Sequence, residues 1–555
     1  MRLLIAVSFI IVTVISHGQD TLSTSWNSIN CSSSFLDHSM DVCTDSKGNI
    51  YTLGLLAVTV NINGQSYSQD SGQYFVTKQD PLGNFIWVEN LGGDKGFTDG
   101  QIVVNSNDEL ILGLNFESNC YLNGDTIYYA PDFTRTSVLM KLDSNFIPLW
   151  SNFYPGSAQN FITHMIVDDL DNIYCTLMFI DSINFQSSIL VQPSPSTYGM
   201  AVFKTSDAGG QIWNRHIYSD YTLDVKSLAV NPSSLGNPEL MIGLYNSGDT
   251  IFDEGAIELT HSGYGSVLLR CGVTGSVIQS QFYGNVATII GIEFNNSRTF
   301  IAGKYRDTIH WTGQTTIAPA GYSLFIAQVD PNLDMVCVSD LNSTQSANMT
   351  WFDVSDEMGF IVVGQFSEQM TIGSSSVVLS NSWDDGSFVA QFDQNYELED
   401  AKYIYGGSNG IRKILVESNE IIGSGWFGDT SYFQNASIQS WGRDVFTFKT
   451  SDFLSLTSFI PTCPAVSTEE SGQLLYLNSF PNPSSGSFSI DYQSSIKIEK
   501  LIVTDIVGNI VKSVNLNSKE GRASLDLSNQ NSGIYFCSLV SGSRKLASVK
   551  LVLAK

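Results

Sequence analysis

A repeat of about sixty residues constrains this chain more than any other feature of its 555 residues. Each copy contains two hairpin patterns, such as DVCTDSKGNIYTLG (41–54) and YFVTKQDPLGNFIWVENLGG (74–93), whose turns place Gly and Asn where the chain must reverse. The first pattern closes at positions 54, 113, 176, 243, 303, 364 and 423. The second is marked by a long polar residue at 78, 141, 204, 270, 328, 391 and 449. Two independent series with one period indicate seven tandem units.

Repeats of about four strands each predict an all-β fold of radially arranged sheets, because one such sheet cannot bury both of its faces alone. We therefore expect a seven-bladed β-propeller over residues 22–459, with six or eight blades as alternatives. An open propeller would expose two sheet edges. The segment TSWNSIN (24–30) has the pattern of a last strand without the three strands before it, so it could complete the final blade.

The repeats resemble the bacterial β-propeller repeat family, whose pattern is D-x-x-GN-x-Y-x-x-G followed by a strand and x-x-D-x-x-GN-x-x-W. The likeness is clear in the first copies and weak in the fourth and fifth. In the first copy the matching residues are Asp45, Gly48, Asn49, Tyr51, Gly54, Asp80, Gly83, Asn84 and Trp87. The resemblance implies the propeller fold over most of the chain.

The N-terminus has the pattern of an export signal. One Arg is followed by an apolar run from Leu3 to Ile15 and then by small and polar residues, which predicts a signal peptide over residues 1–18. This run is short for a membrane span, and no later segment approaches about 20 uninterrupted apolar residues. We expect an exported protein with no transmembrane segment.

The net charge of −27 is unevenly distributed. Residues 474–555 contain nine basic and five acidic residues and carry +4, so the remainder carries −31. An acidic body of this kind argues against nucleic acid and anionic membrane surfaces as partners. It could attract divalent cations or basic partners, but solubility outside the cell is the simpler explanation.

The eight cysteines are dispersed, without CxxC or metal-ligand spacing, so we expect no metal site, no cofactor and no disulfide scaffold. One disulfide is nevertheless suggested by the repeats. Ser458 occupies in the seventh copy the position that tryptophan has in other copies. Cys463 lies five residues after Ser458, just as Cys31 lies five residues after Trp26. A bond between Cys31 and Cys463 would fasten the ends of the propeller.

A second domain follows a polar linker at 460–473. Residues 474–555 alternate about seven strand patterns with short turns, which predicts a small immunoglobulin-like β-sandwich. The block begins with FPNPSSG, in which two prolines cannot donate ladder hydrogen bonds and so hold an extended segment before the first core strand.

This block resembles the C-terminal sorting domain (type A) of the type IX secretion system. The residues that carry the resemblance are Pro481, Asn482, Pro483, Gly486, Phe488, Asp505, Gly508, Gly533, Tyr535 and Lys545. The resemblance implies export to the periplasm, passage through the outer membrane by the type IX machinery, and removal of the domain by its C-terminal signal-processing peptidase. The mature protein is then expected to be released or attached to surface lipopolysaccharide.

Motifs for catalysis are weak. GGSNG around Ser408 fits a nucleophile-elbow pattern and GSGWFG (423–428) a nucleotide-binding pattern, but neither precedes a helix, so both are interpreted as repeat structure. The acidic turn VDDLDN (167–172) could hold calcium, although a solvated hairpin is favoured. The histidines outside the signal peptide are far apart in sequence: His38, His164, His216, His261 and His310.

No catalytic residue can be assigned from these patterns. The leading hypothesis is a non-enzymatic propeller that binds glycans or proteins at the cell surface or in the medium, since propeller loops can bind without a catalytic constellation. A polysaccharide-acting hydrolase or lyase, with two acidic residues near the channel mouth, is the first alternative. A structural surface or gliding-related component is the second. Trp87, Trp150 and Trp213 share one repeat position, which indicates packing in the core or between blades.

Overall fold

The computed structural model describes residues 20–453 and 476–555, apart from short gaps, of which 30–37 and 232–238 are the longest. The predicted signal peptide and linker lie outside the described residues. The chain forms two compact units, Met1–Pro464 and Ala465–Lys555. Within the described residues every helix or strand is a β-strand, which confirms the all-β prediction.

The described strands of the first unit include seven four-stranded antiparallel groups, numbered here in chain order. Group 1 contains β3 (His38–Thr44), β4 (Ile50–Leu56), β7 (Gln73–Gln79) and β8 (Phe85–Gly93). Group 2 contains β9 (Gln101–Val104), β10 (Leu110–Glu117), β13 (Arg135–Leu142) and β14 (Pro148–Pro155). Group 3 contains β15 (Asn160–Val167), β16 (Ile173–Ile180), β19 (Tyr198–Thr205) and β20 (Gln211–Ser219). Group 4 contains β21 (Leu223–Asn231), β22 (Glu239–Asn246), β25 (Gly265–Cys271) and β26 (Val277–Gly284).

The remaining groups follow the same pattern. Group 5 contains β27 (Val286–Asn295), β28 (Arg298–Trp311), β29 (Gln314–Val329) and β30 (Met335–Asp340). Group 6 contains β31 (Asn348–Ser355), β32 (Gly359–Phe366), β35 (Gly386–Phe392) and β36 (Leu398–Gly406), and β1 (Asp20–Thr21) pairs in parallel with β36. Group 7 contains β37 (Asn409–Glu417), β38 (Glu420–Tyr432), β39 (Ser437–Thr450) and the N-terminal strand β2 (Trp26–Ile29).

The N-terminal strand completes group 7, as the sequence suggested. Trp26 of β2 pairs with Lys449 of β39, and Ile29 pairs with Phe446, in antiparallel register. Strands from opposite ends of the first unit therefore share one sheet, which removes an open edge.

The first strands of neighbouring groups contact each other in chain order, and β37 of group 7 contacts β3 of group 1. The buried apolar clusters follow the same order. One cluster joins groups 1 and 2, for example, and another joins groups 6 and 7. Val42 and Ile50 of group 1 pack with Ile422 of group 7. Each sheet therefore buries its faces against two neighbours.

Every group also carries an additional β-hairpin between its second and third strands, which the sequence analysis did not predict. In groups 5 and 7 the second and third strands are long enough to form this hairpin themselves. The last residue pairs before the hairpin turn are Trp311↔Gln314 in group 5 and Tyr432↔Ser437 in group 7. In the other groups the described hairpins are β5 (Thr59–Ile62) with β6 (Gln65–Ser68), β11 (Cys120–Leu122) with β12 (Asp125–Tyr128), β17 (Ser182–Phe185) with β18 (Ser188–Val191), β23 (Thr250–Asp253) with β24 (Ile257–Thr260), and β33 (Gln369–Ile372) with β34 (Val377–Ser380).

Aspartates organise the tight turns that the repeat pattern marks. Oδ1 of Asp45 accepts hydrogen bonds from the backbone N–H groups of Lys47 at 3.0 Å and Asn49 at 2.9 Å. Gly48 has a φ of 73°, a left-handed conformation that glycine adopts without strain. The sequence predicts Gly or Asn at such positions, yet in five of the later turns the left-handed residue is Asp108, Phe146, Asp171, Leu333 or Tyr396.

In the second unit, the described strands form one sheet rather than the expected two-sheet sandwich of about seven strands. They are β40 (Tyr476–Phe480), β41 (Ser487–Thr504), β42 (Ile510–Asp526), β43 (Gly533–Ser541) and β44 (Arg544–Leu553). β40 also contacts β44, so the sheet curves almost into a barrel. The segment SKEG (518–521), whose composition is typical of a turn, lies inside β42, where register irregularities let a long strand bend instead of ending.

Candidate functional site

A cavity of about 410 Å³ is enclosed by residues from the first strands of all seven groups. Its volume falls in the range of about 300–1,000 Å³ that is typical of small-molecule sites. The polar and aromatic side chains that line it are Asp41, Gln101, Phe161, Thr163, His164, Asp224, Lys226, Thr288, Asn348, Thr350, Trp351, Arg412 and Lys413. We call this the central cavity.

The central cavity lies at the end of the groups from which the additional hairpins extend. Its lining residues belong to the early part of each first strand. Antiparallel pairing places the start of each first strand beside the end of the second, as in His38↔Leu55 and Asn160↔Phe179. The hairpin of each group begins directly after that second strand, so the strand order brings the hairpins and the cavity to one face.

Two ion pairs contribute to the cavity wall. Lys413 Nζ lies 2.5 Å from Asp41 Oδ1, and Asp41 Oδ2 accepts a hydrogen bond of 2.8 Å from the backbone N–H of Ile102. Asp41 thus connects strands of groups 1, 2 and 7. Lys226 Nζ lies 2.5 Å from Asp224 Oδ2 on the same strand.

An aromatic ring and a histidine lie beside these charges. The Nζ of Lys413 is 4.9 Å from the ring centroid of Trp351, which is within cation–π range. Burial lowers the pKa of His164 to about 4; a backbone hydrogen bond with Lys226 opposes this shift, and nearby cationic side chains add to it. His164 is therefore neutral near pH 7, and within the described structure its buried Nδ1 has no hydrogen-bond partner.

Glu293 and Asp353 form a carboxyl pair further along the first strands. Burial raises the pKa of Glu293 well above its usual value, the charge of Asp353 raises it further, and Lys413 acts in the opposite direction. Burial also raises the pKa of Asp353 to about 6, against backbone hydrogen bonds from Val354 at 2.7 Å and Val416 at 3.2 Å. Neither carboxyl lines the central cavity.

The other end of the groups is held by contacts between neighbouring turns. Asp108 accepts hydrogen bonds from the backbone N–H of Ser46 at 2.8 Å and from its hydroxyl at 3.0 Å. Asp171 receives the same pair of bonds from Ser106, at 2.9 and 2.6 Å. These contacts join group 1 to group 2 and group 2 to group 3.

The acidic turn VDDLDN forms a hairpin whose oxygens accept internal hydrogen bonds. Asp168 accepts from the backbone N–H groups of Leu170 and Asn172 and lies 3.2 Å from Lys204 Nζ. Among the residues that the structure describes, no group of three or more His, Cys, Asp or Glu side chains is placed to hold a metal ion.

The other candidate motifs belong to strands or their approaches. Ser408 immediately precedes β37 and its carbonyl accepts a hydrogen bond of 2.7 Å from Gly428, while GSGWFG lies inside β38. The described histidines belong to different strands: His38 to β3, His164 to β15, His216 to β20 and His310 to β28. His216 contacts Gln192 at 2.9 Å and His310 contacts Thr315 at 3.0 Å. His261 lies outside the described residues.

The recurring tryptophans pack against turns of the next group. The indole Nε1 of Trp150 donates a hydrogen bond of 2.9 Å to the carbonyl of Asp207, in the β19–β20 turn of group 3. The ring of Trp87 lies 5.4 Å from that of Phe146, in the corresponding turn of group 2. The repeat position therefore serves packing between sheets. Trp351, which does not occupy this repeat position, lines the cavity.

Asn482, one of the predicted sorting residues, lies where the second unit closes on itself. Asn482 Nδ2 donates to the carbonyl of Lys550 at 2.6 Å, and its Oδ1 accepts from the N–H of Val552 at 2.7 Å. Phe488 is buried, and the hydroxyl of the buried Tyr535 donates to the carbonyl of Asn531 at 2.8 Å.

The other predicted sorting residues are placed as follows. Gly486 lies against Ser528, so that a Cβ added at this glycine would lie only 3.0 Å from the serine Cβ, and Gly533 has open space around it. Lys545 belongs to β44, paired with Val540, and Asp505 follows β41 directly. Pro481 and Pro483 flank Asn482, and Gly508 lies outside the described residues.

Six of the eight cysteines lie among the described residues. Cys43, Cys120, Cys175, Cys271 and Cys537 are buried thiols. Cys337 is disulfide-bonded. Cys31 and Cys463 both lie outside the described residues, so the bond predicted between them stays a prediction.

The sequence did not predict the cavity residues or the additional hairpins. The hairpins do carry a signal, since an Asp-Thr pair recurs near their start at 249–250, 307–308 and 429–430 and at the start of β12 at 125–126. The cavity residues carry none, because each first strand contributes only one to four side chains and these are of different types.

Residues 478–554 match the family model described as the secretion system C-terminal sorting domain. The match confirms the predicted sorting domain of the type IX secretion system. It indicates a cargo protein that is exported and then either secreted or attached to the cell surface. In the described part of the chain, no helix has the length and apolar character needed to span a membrane.

Two solved structures from Porphyromonas gingivalis are distantly similar to the chain. One is PorZ, an essential bacterial surface component of the type IX secretion system. The two sequences are 10% identical, the match covers 93% of this chain and 81% of PorZ, and the TM-score is 0.21. The other is dimeric latent PorU, which is 9% identical. The match covers 95% of this chain and 34% of PorU, and the TM-score is 0.13. Similarity at this level assigns neither fold nor function. No curated protein matches the chain.

Proposed function

We propose that the first unit is a seven-bladed β-propeller, with each four-stranded group as one blade. The support is the order of contacts, in which first strands touch their neighbours from β3 to β37 and β37 touches β3. The pairing of β2 with β39 is the strand exchange that such a fold uses to close its circle. The repeat period of the sequence gives the same count.

We propose that this propeller is a non-enzymatic binding module whose ligand occupies the central cavity. The observation that carries this proposal is one cavity of about 410 Å³ lined from all seven groups by aromatic, amide, hydroxyl and charged side chains. Such a mixture fixes the orientation of a small polar ligand. The surrounding hairpins supply further surface for a larger ligand of which only one part enters the cavity.

Hydrolysis or lyase chemistry is the second candidate, favoured by the Glu293–Asp353 carboxyl pair. Glycoside hydrolysis uses two carboxyl groups, one of them with a raised pKa. However, both oxygens of Asp353 accept backbone N–H groups, and neither carboxyl lines the cavity. These contacts support a structural role for the pair more than a catalytic one.

We further propose that the type IX machinery delivers this propeller and that its peptidase removes the second unit, at a site within the 460–473 linker or close to it. The exposed sorting residues Pro481, Asn482 and Pro483 would form the recognised surface, and the buried Phe488 and Tyr535 would support it. Release into the medium and attachment to surface lipopolysaccharide are the two outcomes that this route allows.

Binding and catalysis can be separated on purified secreted protein. Glycan and peptide arrays would measure binding, and assays for new reducing ends or unsaturated products on polysaccharides would measure cleavage. We expect binding without cleavage, weakened at least about ten-fold by Trp351→Ala, which removes an aromatic face of the cavity. Product formation that Glu293→Gln abolishes would instead establish the enzymatic alternative. Thermal unfolding of each variant controls for loss of fold.

A further inference from the structure

Cationic side chains are concentrated in the central cavity of an otherwise acidic body. Lys226, Arg412 and Lys413 line it together with only two carboxylates, Asp41 and Asp224. The lining therefore carries a net +1 when His164 is neutral, whereas the chain outside residues 474–555 carries −31. A local excess of positive charge within a strongly negative surface favours an anionic group at this one place.

The remaining lining suits a ligand that is also rich in hydroxyl groups. Gln101, Asn348 and the threonines supply amide and hydroxyl groups, while Phe161 and Trp351 supply apolar faces. Aromatic faces of this kind pack against the C–H side of a sugar ring, whose hydroxyls point outward to polar partners.

His164 adds an independent indication. Its Nδ1 is buried and has no partner among the described residues, and a buried polar atom left unpaired is costly. Burial lowers the pKa of the ring, and the cationic side chains of Lys226, Arg412 and Lys413 lower it further, so the imidazole is neutral. A hydroxyl donated by a ligand would satisfy the free nitrogen.

We propose that the central cavity binds a sugar unit that bears a carboxylate, of the hexuronic acid or sialic acid class. This inference rests on the proposed binding function and specifies its ligand. The carboxylate lies towards Arg412 and Lys226, one face of the sugar ring packs on Trp351, and a ring hydroxyl donates to Nδ1 of His164. A terminal residue of an acidic surface polysaccharide and a free acidic sugar share this chemistry.

The test compares sugars that differ mainly in the carboxylate. Isothermal titration of the purified secreted protein would use glucuronate against glucose, galacturonate against galactose, and N-acetylneuraminate against N-acetylglucosamine, with acidic hexasaccharides as a further arm. We expect an acidic sugar to bind at least about ten-fold more tightly than its neutral counterpart, as one charge-assisted hydrogen bond predicts. Tighter binding of the hexasaccharide than of the monosaccharide would identify a polysaccharide as the source.

Variants locate the effect. Arg412→Gln and Lys226→Gln should each weaken binding of the acidic sugar about ten-fold and leave binding of the neutral sugar unchanged. Lys47→Gln is the matched control, because Lys47 is 73% exposed on a turn at the opposite end of group 1. His164→Phe should weaken both kinds of sugar, since it removes a hydroxyl acceptor rather than a charge.

The outcomes are distinct. Equal affinity for acidic and neutral sugars would overturn the acidic assignment while leaving the binding function in place. Failure of every sugar to bind, with a peptide bound in a manner that depends on Trp351, would overturn the ligand class but not the binding site. Loss of all binding on the arrays described above would remove the proposed function itself.

Discussion

Asp41 and Lys413 form an ion pair across 372 residues of sequence, with 2.5 Å between Oδ1 and Nζ. Asp41 lies on the first strand of group 1 and Lys413 on the first strand of group 7. The side chain of Asp41 is only 2% exposed, and that of Lys413 is 13% exposed. The pair therefore joins the two ends of the first unit at the wall of the central cavity.

Replacing Lys413 should destabilise the first unit strongly. Lys413→Met leaves the buried carboxylate of Asp41 with hydrogen bonds only from backbone N–H groups, and removing one partner of a buried pair costs about 3 kcal/mol. Urea unfolding followed by tryptophan fluorescence would measure the change. Lys47→Gln is the control, since its exposed pair with Asp108 should contribute less than about 1 kcal/mol. Equal effects of the two substitutions would contradict the role given to the Asp41–Lys413 pair.

Stability should depend on pH through the Glu293–Asp353 pair. A carboxyl whose folded-state pKa is raised holds a proton that the unfolded chain has already lost, so its contribution is present at low pH and is lost as pH rises. The stabilisation by Asp353 is therefore lost between pH 3.8 and about pH 6. The stabilisation by Glu293 begins to be lost at pH 4.5, and the loss continues to a higher pH than for Asp353. Glu293→Gln cannot lose this proton, so the variant should gain stability relative to wild type as pH rises.

Unfolding at several pH values would check this expectation, with Glu357→Gln, an exposed carboxyl, as the control. His164 acts in the opposite sense, because its pKa is lowered to about 4 and its contribution is lost as pH falls from 6.5. The difference between wild type and variant isolates Glu293 from this effect. A constant difference between the two across pH 4 to 8 would show that Glu293 is not buried in solution.

Alanine substitutions at two turn glycines, Gly48 and Gly209, distinguish the cost of backbone strain from the cost of steric crowding. Gly48 and Gly209 have φ values of 73° and 83°, so alanine at either position should cost about 1 kcal/mol. A Cβ at Gly48 would lie 3.4 Å from Pro81, whereas one at Gly209 would lie 2.8 Å from the ring of Trp150. Gly209→Ala should therefore cost at least about 1 kcal/mol more than Gly48→Ala in urea unfolding. Equal costs would mean that Trp150 does not pack there.

Asn482 should hold the last strand of the second unit. Asn482→Ala removes its bonds to Lys550 and Val552, which at this exposed position should cost about 1 kcal/mol. Hydrogen exchange of the Val552 amide in the full chain would report the loss as faster exchange. Gly533→Ala, with nothing within 4 Å of the added Cβ, should leave that amide unchanged. Unchanged exchange in Asn482→Ala would show that these bonds do not protect β44.

Peptide mapping without reduction should find Cys337 in a disulfide and Cys43, Cys120, Cys175, Cys271 and Cys537 as thiols. Each thiol forms one disulfide, so a bond from Cys337 to Cys31 or to Cys463 would exclude the predicted Cys31–Cys463 bond. A free Cys337 would contradict the structure at this position. The same digest therefore tests both pairings.

The sequence by itself determined the features that depend on neighbouring residues. Local patterns with a fixed period predict the alternation of the strands and the closing strand at Trp26–Ile29. They also predict the aspartate-organised turns around Gly48 and Gly83. The sorting domain was recognised in the same way, because its landmarks lie in order within about eighty residues. Its strand count was overestimated, since a bulged strand such as β42 bends through residues that elsewhere end a strand.

Only the tertiary structure decided which side chains form the central cavity. Asp41, His164, Trp351 and Lys413 lie on first strands that are one or more repeats apart, and no local pattern distinguishes them from other strand residues. They meet because the first strands of the seven groups contact each other in chain order and the last contacts the first. That arrangement is set by the burial of whole sheet faces, a property of all the repeats together, so a site built from one or a few residues of each repeat cannot be identified from any single segment.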